Sequence, residues 1–217
     1  MDSSKPFKVQ ISGHLACFTR PEFKVERVSY DVPTPSALRG VLDSILWKPA
    51  IRWQIHDIAV LKPIKKISFR RNEVNSRAST RAAPYYADED RAQRNTVALK
   101  DVKYVVTASF TMTEKAGPRD NVTKFEEMFE RRLDIGQYHH KPCLGCREFP
   151  ADVRPAPSLY QPEYRGVTVP MGMMLLDIDC QHSKGDSAKD QALWFEATMR
   201  DGVISVPSVE TARSARS

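Results

Sequence analysis

Apolar residues recur in this chain with two different periods, and the order of those periods restricts the fold more than any other feature. Val122, Phe125, Met128, Phe129 and Leu133 recur at three- and four-residue steps, the spacing of a helix with one apolar face. Asn121 or Thr123 can cap its start, and Gly136 follows its last apolar residue. A second helical pattern covers Ser36 to Trp47, entered at Thr34-Pro35 and ended by Lys48-Pro49. Around these helices the period changes to two. FKVQISGHLACF (7–18), IRWQIHDIAVLK (51–62), IKKISFRRNEV (64–74) and ALKDVKYVVTASFTMT (98–113) alternate as strands do. The stretch 74–95 is polar, rich in small residues and aperiodic, so a long mobile loop is expected there. Within it Tyr85-Tyr86 can stack on bases or pack the loop against the body. After the second helix a short strand is expected, entered through Leu144-Gly145-Cys146.

The order β-α-β-β-loop-β-α-β predicts an α+β fold of the ferredoxin-like kind, which RNA recognition modules also use. Two helices then cover one sheet face and leave the other for a ligand. Beyond residue 150, Pro150, Pro155, Pro157 and Pro162 mark a linker. MMLLDIDC (173–180) and LWFEATMRDGVISVP (193–207) predict strands of a small β appendage, with a polar loop between them and a frayed end at 211–217. The expected division is a domain of residues 1–150 and an appendage of residues 151–217.

Charge is spread unevenly. Residues 1–150 hold 26 Lys/Arg against 18 Asp/Glu, whereas residues 151–217 hold 7 against 9. A basic larger part points to an anionic partner. No apolar run reaches the length of a membrane span and no secretory signal is visible, so a cytoplasmic location without membrane contact is expected. Four cysteines are too few for a disulfide framework in a chain of 217 residues, and reduced thiols fit that compartment.

His139, His140, Cys143 and Cys146 have the residue types of a zinc site, but all four fall within eight residues and adjacent histidines are expected to point apart. Two small, partly buried thiols are the plainer reading, and no metal or cofactor is expected. Cutting of RNA needs none, because its 2′-hydroxyl can attack the adjacent phosphorus. The protein must then align that attack, move a proton and offset charge on the phosphate oxygens. Lys124, His139, His140, Tyr30 and Tyr138 are the candidates by residue type.

Several runs together resemble a known family. They are VERVSYDVPTPSALRGVLDSILWKPAIRW (25–53), RRNEV (70–74), KFEEMFERRLDIGQYHHKPCLGCREFPADV (124–153), MGMMLLDID (171–179) and Asp201-Gly202-Val203-Ile204. The resemblance is to the RAMP-superfamily CRISPR-associated protein of subtype I-C, Cas family five of the Dvulg or d type. It implies a ferredoxin-like domain with a C-terminal β appendage, and a metal-independent endoribonuclease that cuts CRISPR precursor RNA within its repeat. It also implies that the protein stays on the 5′ handle of the mature crRNA within Cascade, beside a backbone subunit and a large subunit that reads target DNA. The family pattern has a lysine-histidine pair near the start of the second helix and, in some members, a tyrosine before Trp-Lys-Pro. Lys124 matches the lysine, while Phe125 and Leu46 stand at the other two positions. The expected catalytic group is therefore Lys124 with His139 or His140 in proton transfer. The alternative is a subunit that binds RNA and assembles without cutting. Arg27, Lys48, Arg52, Arg70, Arg71, Arg131, Arg132 and Arg147 are the residues expected to meet phosphates. Charge alone would also suit nonspecific DNA binding.

Overall fold

The computed structural model describes residues 2–23, 25–76, 79, 86–179 and 191–214. The sheet is built on β5, Arg91–Met112, a strand of 22 residues. Its C-terminal half buries Tyr104, Val105, Val106, Ala108 and Phe110, so both faces are covered and the sequence there is almost continuously apolar. Asp101, near the middle of the strand, sits at φ 54°, a conformation that aspartate tolerates better than most residues. On one edge β5 pairs with β1 (Phe7–Ala16) and then with β2 (Arg27–Val28). On the other edge β3 (Ile51–Val60) holds residues 104–112, and β4 (Lys66–Val74) holds residues 91–99.

Beyond β1 lies β6 (Asp152–Pro155). Beyond β3 lie β9 (Val203–Ser205), β8 (Gln191–Arg200) and β7 (Thr168–Asp179). Among the described residues these make one nine-stranded sheet, antiparallel except where β2 meets β5. The fold is α+β, a mostly antiparallel sheet with few helices: α1 (Pro35–Ile45), α2 (Val122–Asp134) and the short α3 (Val209–Ser214). No helix among the described residues is long and apolar enough to cross a membrane.

Both long helices begin on side-chain caps. Thr34 accepts from the Ala37 N–H at 3.2 Å, and Asn121 accepts from the Lys124 N–H at 2.9 Å. The apolar stripe of α2 buries Phe125, Phe129 and Leu133. Phe129 sits 4.9 Å from the Phe7 ring and 4.6 Å from Trp53, and Trp53 in turn lies 5.2 Å from Phe110. This aromatic cluster fastens α2 to β1, β3 and β5.

Four expectations change. The stretch 74–95 is in part an arm of the sheet: β4 continues to Val74 and β5 begins at Arg91, because side chains that are polar on both faces suit a ribbon standing in solvent. Residues 77, 78 and 80–85, Tyr85 among them, lie outside the described residues, as does most of the loop expected between β7 and β8. Leu144-Gly145-Cys146 does not open a strand; it belongs to a loop closed by the Cys143–Pro150 bridge. The strand that follows α2 is β6, inside the proline-rich stretch, where an edge position accommodates Pro155. Lastly, the end expected to fray contains α3.

Candidate active site

The end of α1 and the chain leaving α2 are tied together. Leu46 caps α1 with its N–H on the Leu42 carbonyl, and its own carbonyl accepts from Trp53 Nε1 at 3.0 Å. Trp47, Lys48 and Pro49 then leave the helix at the surface, with Trp47 61% exposed. After α2, Gly136 turns the chain at φ 67°. The N–H groups of His139 and His140 both donate to the Ser44 carbonyl, at 2.7 and 3.4 Å. The histidines are therefore held by the last turn of α1. Their rings lie 4.3 Å apart and tilted by 55°, side by side rather than pointing apart. Arg132 adds a second tie, Nη1 donating to the Ile45 carbonyl at 2.7 Å.

Three clefts follow this junction. One of about 730 Å³ is lined by Asp43, Trp47, His139, His140, Lys141 and Arg147. The next, of about 390 Å³, shares Trp47 and His139 and adds Lys48, Arg132 and Tyr138. The third, of about 350 Å³, shares Lys48 and adds Lys115, Asp120, Lys124 and Phe125. Together they form a groove from the histidine pair to Lys124 across Trp47-Lys48-Pro49. Lys124 Nζ meets Asp120 at 2.9 Å, and that contact holds the Asp120 carboxyl below its usual range. Burial pushes Asp43 in the opposite direction, to about 6, with Arg39 pulling it down and the Asp177 carboxylate adding to the rise.

The two positions that depart from the family pattern are core positions. Phe125 is 2% exposed and packs on Phe110, and Leu46 is fully buried. Tyr30 is also buried, with its phenol raised by desolvation, and lines none of the three clefts. Tyr138, by contrast, is exposed on the groove wall.

The eight arginines and lysines expected to meet phosphates separate into groups. Lys48, Arg132 and Arg147 line the groove. Arg71 on β4 and Arg27 on the neighbouring β2 pair instead with Glu73 of the β4–β5 arm, at 3.4 and 3.3 Å; both also pair with Glu148. Arg52 on β3 meets Asp177 at 3.0 Å, and Arg39 of α1 clasps the same buried carboxylate, joining β7 to α1. Arg70 on β4 and Arg131 on α2 are exposed and line none of the three clefts. Sequence reasoning missed Trp47, Lys115 and Lys141 as groove residues. The signal for Trp47 was an aromatic residue placed after the last apolar position of α1, immediately before Lys48-Pro49.

The family model described as CRISPR-associated protein (Cas_Cas5), in its Cas5d form, matches residues 7–207. The chain belongs to the Cas5d family. A protein of Mannheimia succiniciproducens named CRISPR pre-crRNA endoribonuclease Cas5d is 45% identical, over 92% of this chain and 94% of its own. A protein of the same name from Thermus thermophilus is 42% identical, over 93% and 91%. A solved structure of a CRISPR-associated protein matches this Cas5d chain in fold with a TM-score of 0.72 at 23% identity, covering 97% of this chain and 95% of that one. A functionally uncharacterized protein from Streptococcus mutans matches at 0.71, also at 23% identity, over 96% and 95%. Among the described residues of this Cas5d, no three His, Cys, Asp or Glu side chains are grouped to hold a metal ion.

Proposed function

We propose that this chain is a metal-independent endoribonuclease that cuts CRISPR precursor RNA within the repeat. It then remains on the 5′ handle of the crRNA in Cascade, beside the backbone and large subunits and the target DNA they meet. The observation that carries this reading is 45% and 42% identity to two proteins named CRISPR pre-crRNA endoribonuclease, across at least 91% of every chain compared. The cytoplasm is where such a protein meets its transcript. A ferredoxin-like core is part of the reading: the order β6-β1-β5-β3, with α1 and α2 as crossovers, supports it. Residues 1–150 supply most of that core, and residues 151–217 extend it.

In the reaction the 2′-oxygen attacks phosphorus, the bond to the 5′-oxygen breaks, and a 2′,3′-cyclic phosphate and a 5′-hydroxyl result. Lys124 offsets charge on the phosphate oxygens, and His139 or His140 moves the proton. Trp47 offers a flat exposed face on which a base can stack. Repeat RNA incubated with the protein in EDTA should give the cyclic phosphate, and Lys124→Ala should cut far more slowly. Undiminished cutting by Lys124→Ala, His139→Ala and His140→Ala alike would overturn the assignment of these residues.

The burial of Phe125 and Leu46 favours a second reading, a handle-binding and assembly subunit that does not cut. Binding of repeat RNA with no cyclic product under any condition would decide for it.

A further inference from the structure

The loop between α2 and β6 returns to the end of β1, where it brings two cysteines together. Gly145 makes the approach possible: at φ 84° it takes a left-handed conformation, and a Cβ there would stand 2.0 Å from the Cys17 carbonyl oxygen. The Cys17 N–H donates to the Leu144 carbonyl at 3.0 Å. Cys146 Sγ lies 3.6 Å from the Cys17 carbonyl oxygen and 3.7 Å from Arg27 Nη1. Cys17 Sγ is 3.6 Å from the Thr19 hydroxyl. Cys17 is 1% exposed, whereas Cys146 is half-buried.

The two thiols are not equivalent. The neighbouring Cys17 thiol lowers Cys146 to about 6 against burial and the nearby Glu148 carboxylate, with help from Arg27 and Thr19. The Cys146 neighbour and burial raise Cys17. Cys143 is raised by burial. A thiol beside a guanidinium, with a second cysteine adjoining it, is an arrangement that reacts with peroxides once the first thiol ionises.

We propose that Cys146 and Cys17 form a site of oxidation by hydroperoxides, with Cys146 attacking and Cys17 resolving. The Cys146 thiolate attacks one peroxide oxygen; the O–O bond breaks, sulfur loses two electrons, and the departing hydroxide takes a proton to become water. Cys17 sulfur then attacks the sulfenic sulfur of Cys146. The S–S bond forms, the S–O bond breaks, and the hydroxide leaves as water with the Cys17 proton. The disulfide removes the thiolate from beside Arg27 and fixes to β1 the loop that carries Arg147 into the groove.

The test uses the full chain treated with a few equivalents of hydrogen peroxide, blocked with N-ethylmaleimide and mapped as unreduced peptides. A Cys17–Cys146 linkage reversed by dithiothreitol is expected. At pH 7 in the untreated protein, Cys146 should be alkylated about tenfold faster than Cys143 or more, because an ordinary thiol is only a few per cent ionised there. Cys17→Ser should leave Cys146 as a sulfenic acid captured by dimedone, and Cys143→Ser should leave the linkage intact. A Cys143–Cys146 linkage, no linkage at all, or equal alkylation of Cys143 and Cys146 in the wild-type chain would each overturn the proposal. None of these readouts depends on whether the protein cuts RNA.

Discussion

The groove between α1 and α2 and the inner face of the β4–β5 arm both gather cations, yet only one is equipped for a polyanion. At the arm, Arg71, Arg94 and Arg27 of β2 surround Glu73, with Glu148 bridging Arg27 and Arg71, so their charge is largely neutralised within the protein. In the groove, Lys48, Lys115, Lys141 and Arg147 have no carboxylate within ion-pair reach among the described residues. They therefore remain available to phosphates. A census of Lys and Arg along the chain treats the two regions alike. Pairing separates them, apart from Lys124, which meets Asp120 within the groove.

The sharpest contrast should come from catalysis. Lys124→Ala is expected to slow cutting by roughly 10²- to 10³-fold, the loss that follows removal of one preorganised donor to a developing charge. Arg71→Ala on the arm should leave the single-turnover rate within about twofold of wild type, and a large loss there would break the contrast. Trp47→Ala comes next. Loss of its stacking face should weaken repeat-RNA binding by about 1–3 kcal/mol, measured by titration at fixed salt.

Titration separates the regions by sign. The carboxyl of Asp43 stands at about 6 in the folded protein against an ordinary 3.8, so the folded state binds the extra proton. Stability should fall as pH rises from about 4 to 6, and Asp43→Asn should remove that fall. The gain at pH 7 should be about 1–2 kcal/mol after allowing for partial exposure. Glu148 behaves oppositely. Burial raises it, but backbone and Arg71 hydrogen bonds with the charges of Arg71 and Arg27 bring it below its ordinary 4.5. Its contribution is present above 4.5 and lost as pH falls through the lowered value. Denaturant midpoints across pH 3–7 check both signs, with Glu148→Gln costing about 1 kcal/mol or less at pH 7 because the pair is exposed.

Helices, long strands and their order were legible because Phe125, Phe129 and Leu133, or Val9 and Ile11, repeat with the period of the element they occupy. The arm was not, since Arg91–Asn95 carry no apolar period and pair with β4 through the backbone ladder and the Arg94–Glu73 ion pair. β6 was hidden by prolines that an edge strand permits. Of the residues that line the groove, Lys124 was named through its residue type and the family resemblance, and Lys48 and Arg147 through their charge. The neutralising of Arg27 and Arg71 could not be read, because Glu148 lies more than seventy residues from either partner and meets them only through the fold.

Salt dependence of repeat-RNA binding tests the groove's role most directly. Wild type, Lys48→Ala/Arg147→Ala and Arg27→Ala/Arg71→Ala would be titrated over a range of salt, and log Kd plotted against log salt. Each lost phosphate contact reduces the slope by about 0.7 on single-stranded nucleic acid. The groove pair should therefore flatten the slope by about 1.4 and the arm pair should leave it unchanged. A slope flattened by the arm pair and untouched by the groove pair would contradict the account.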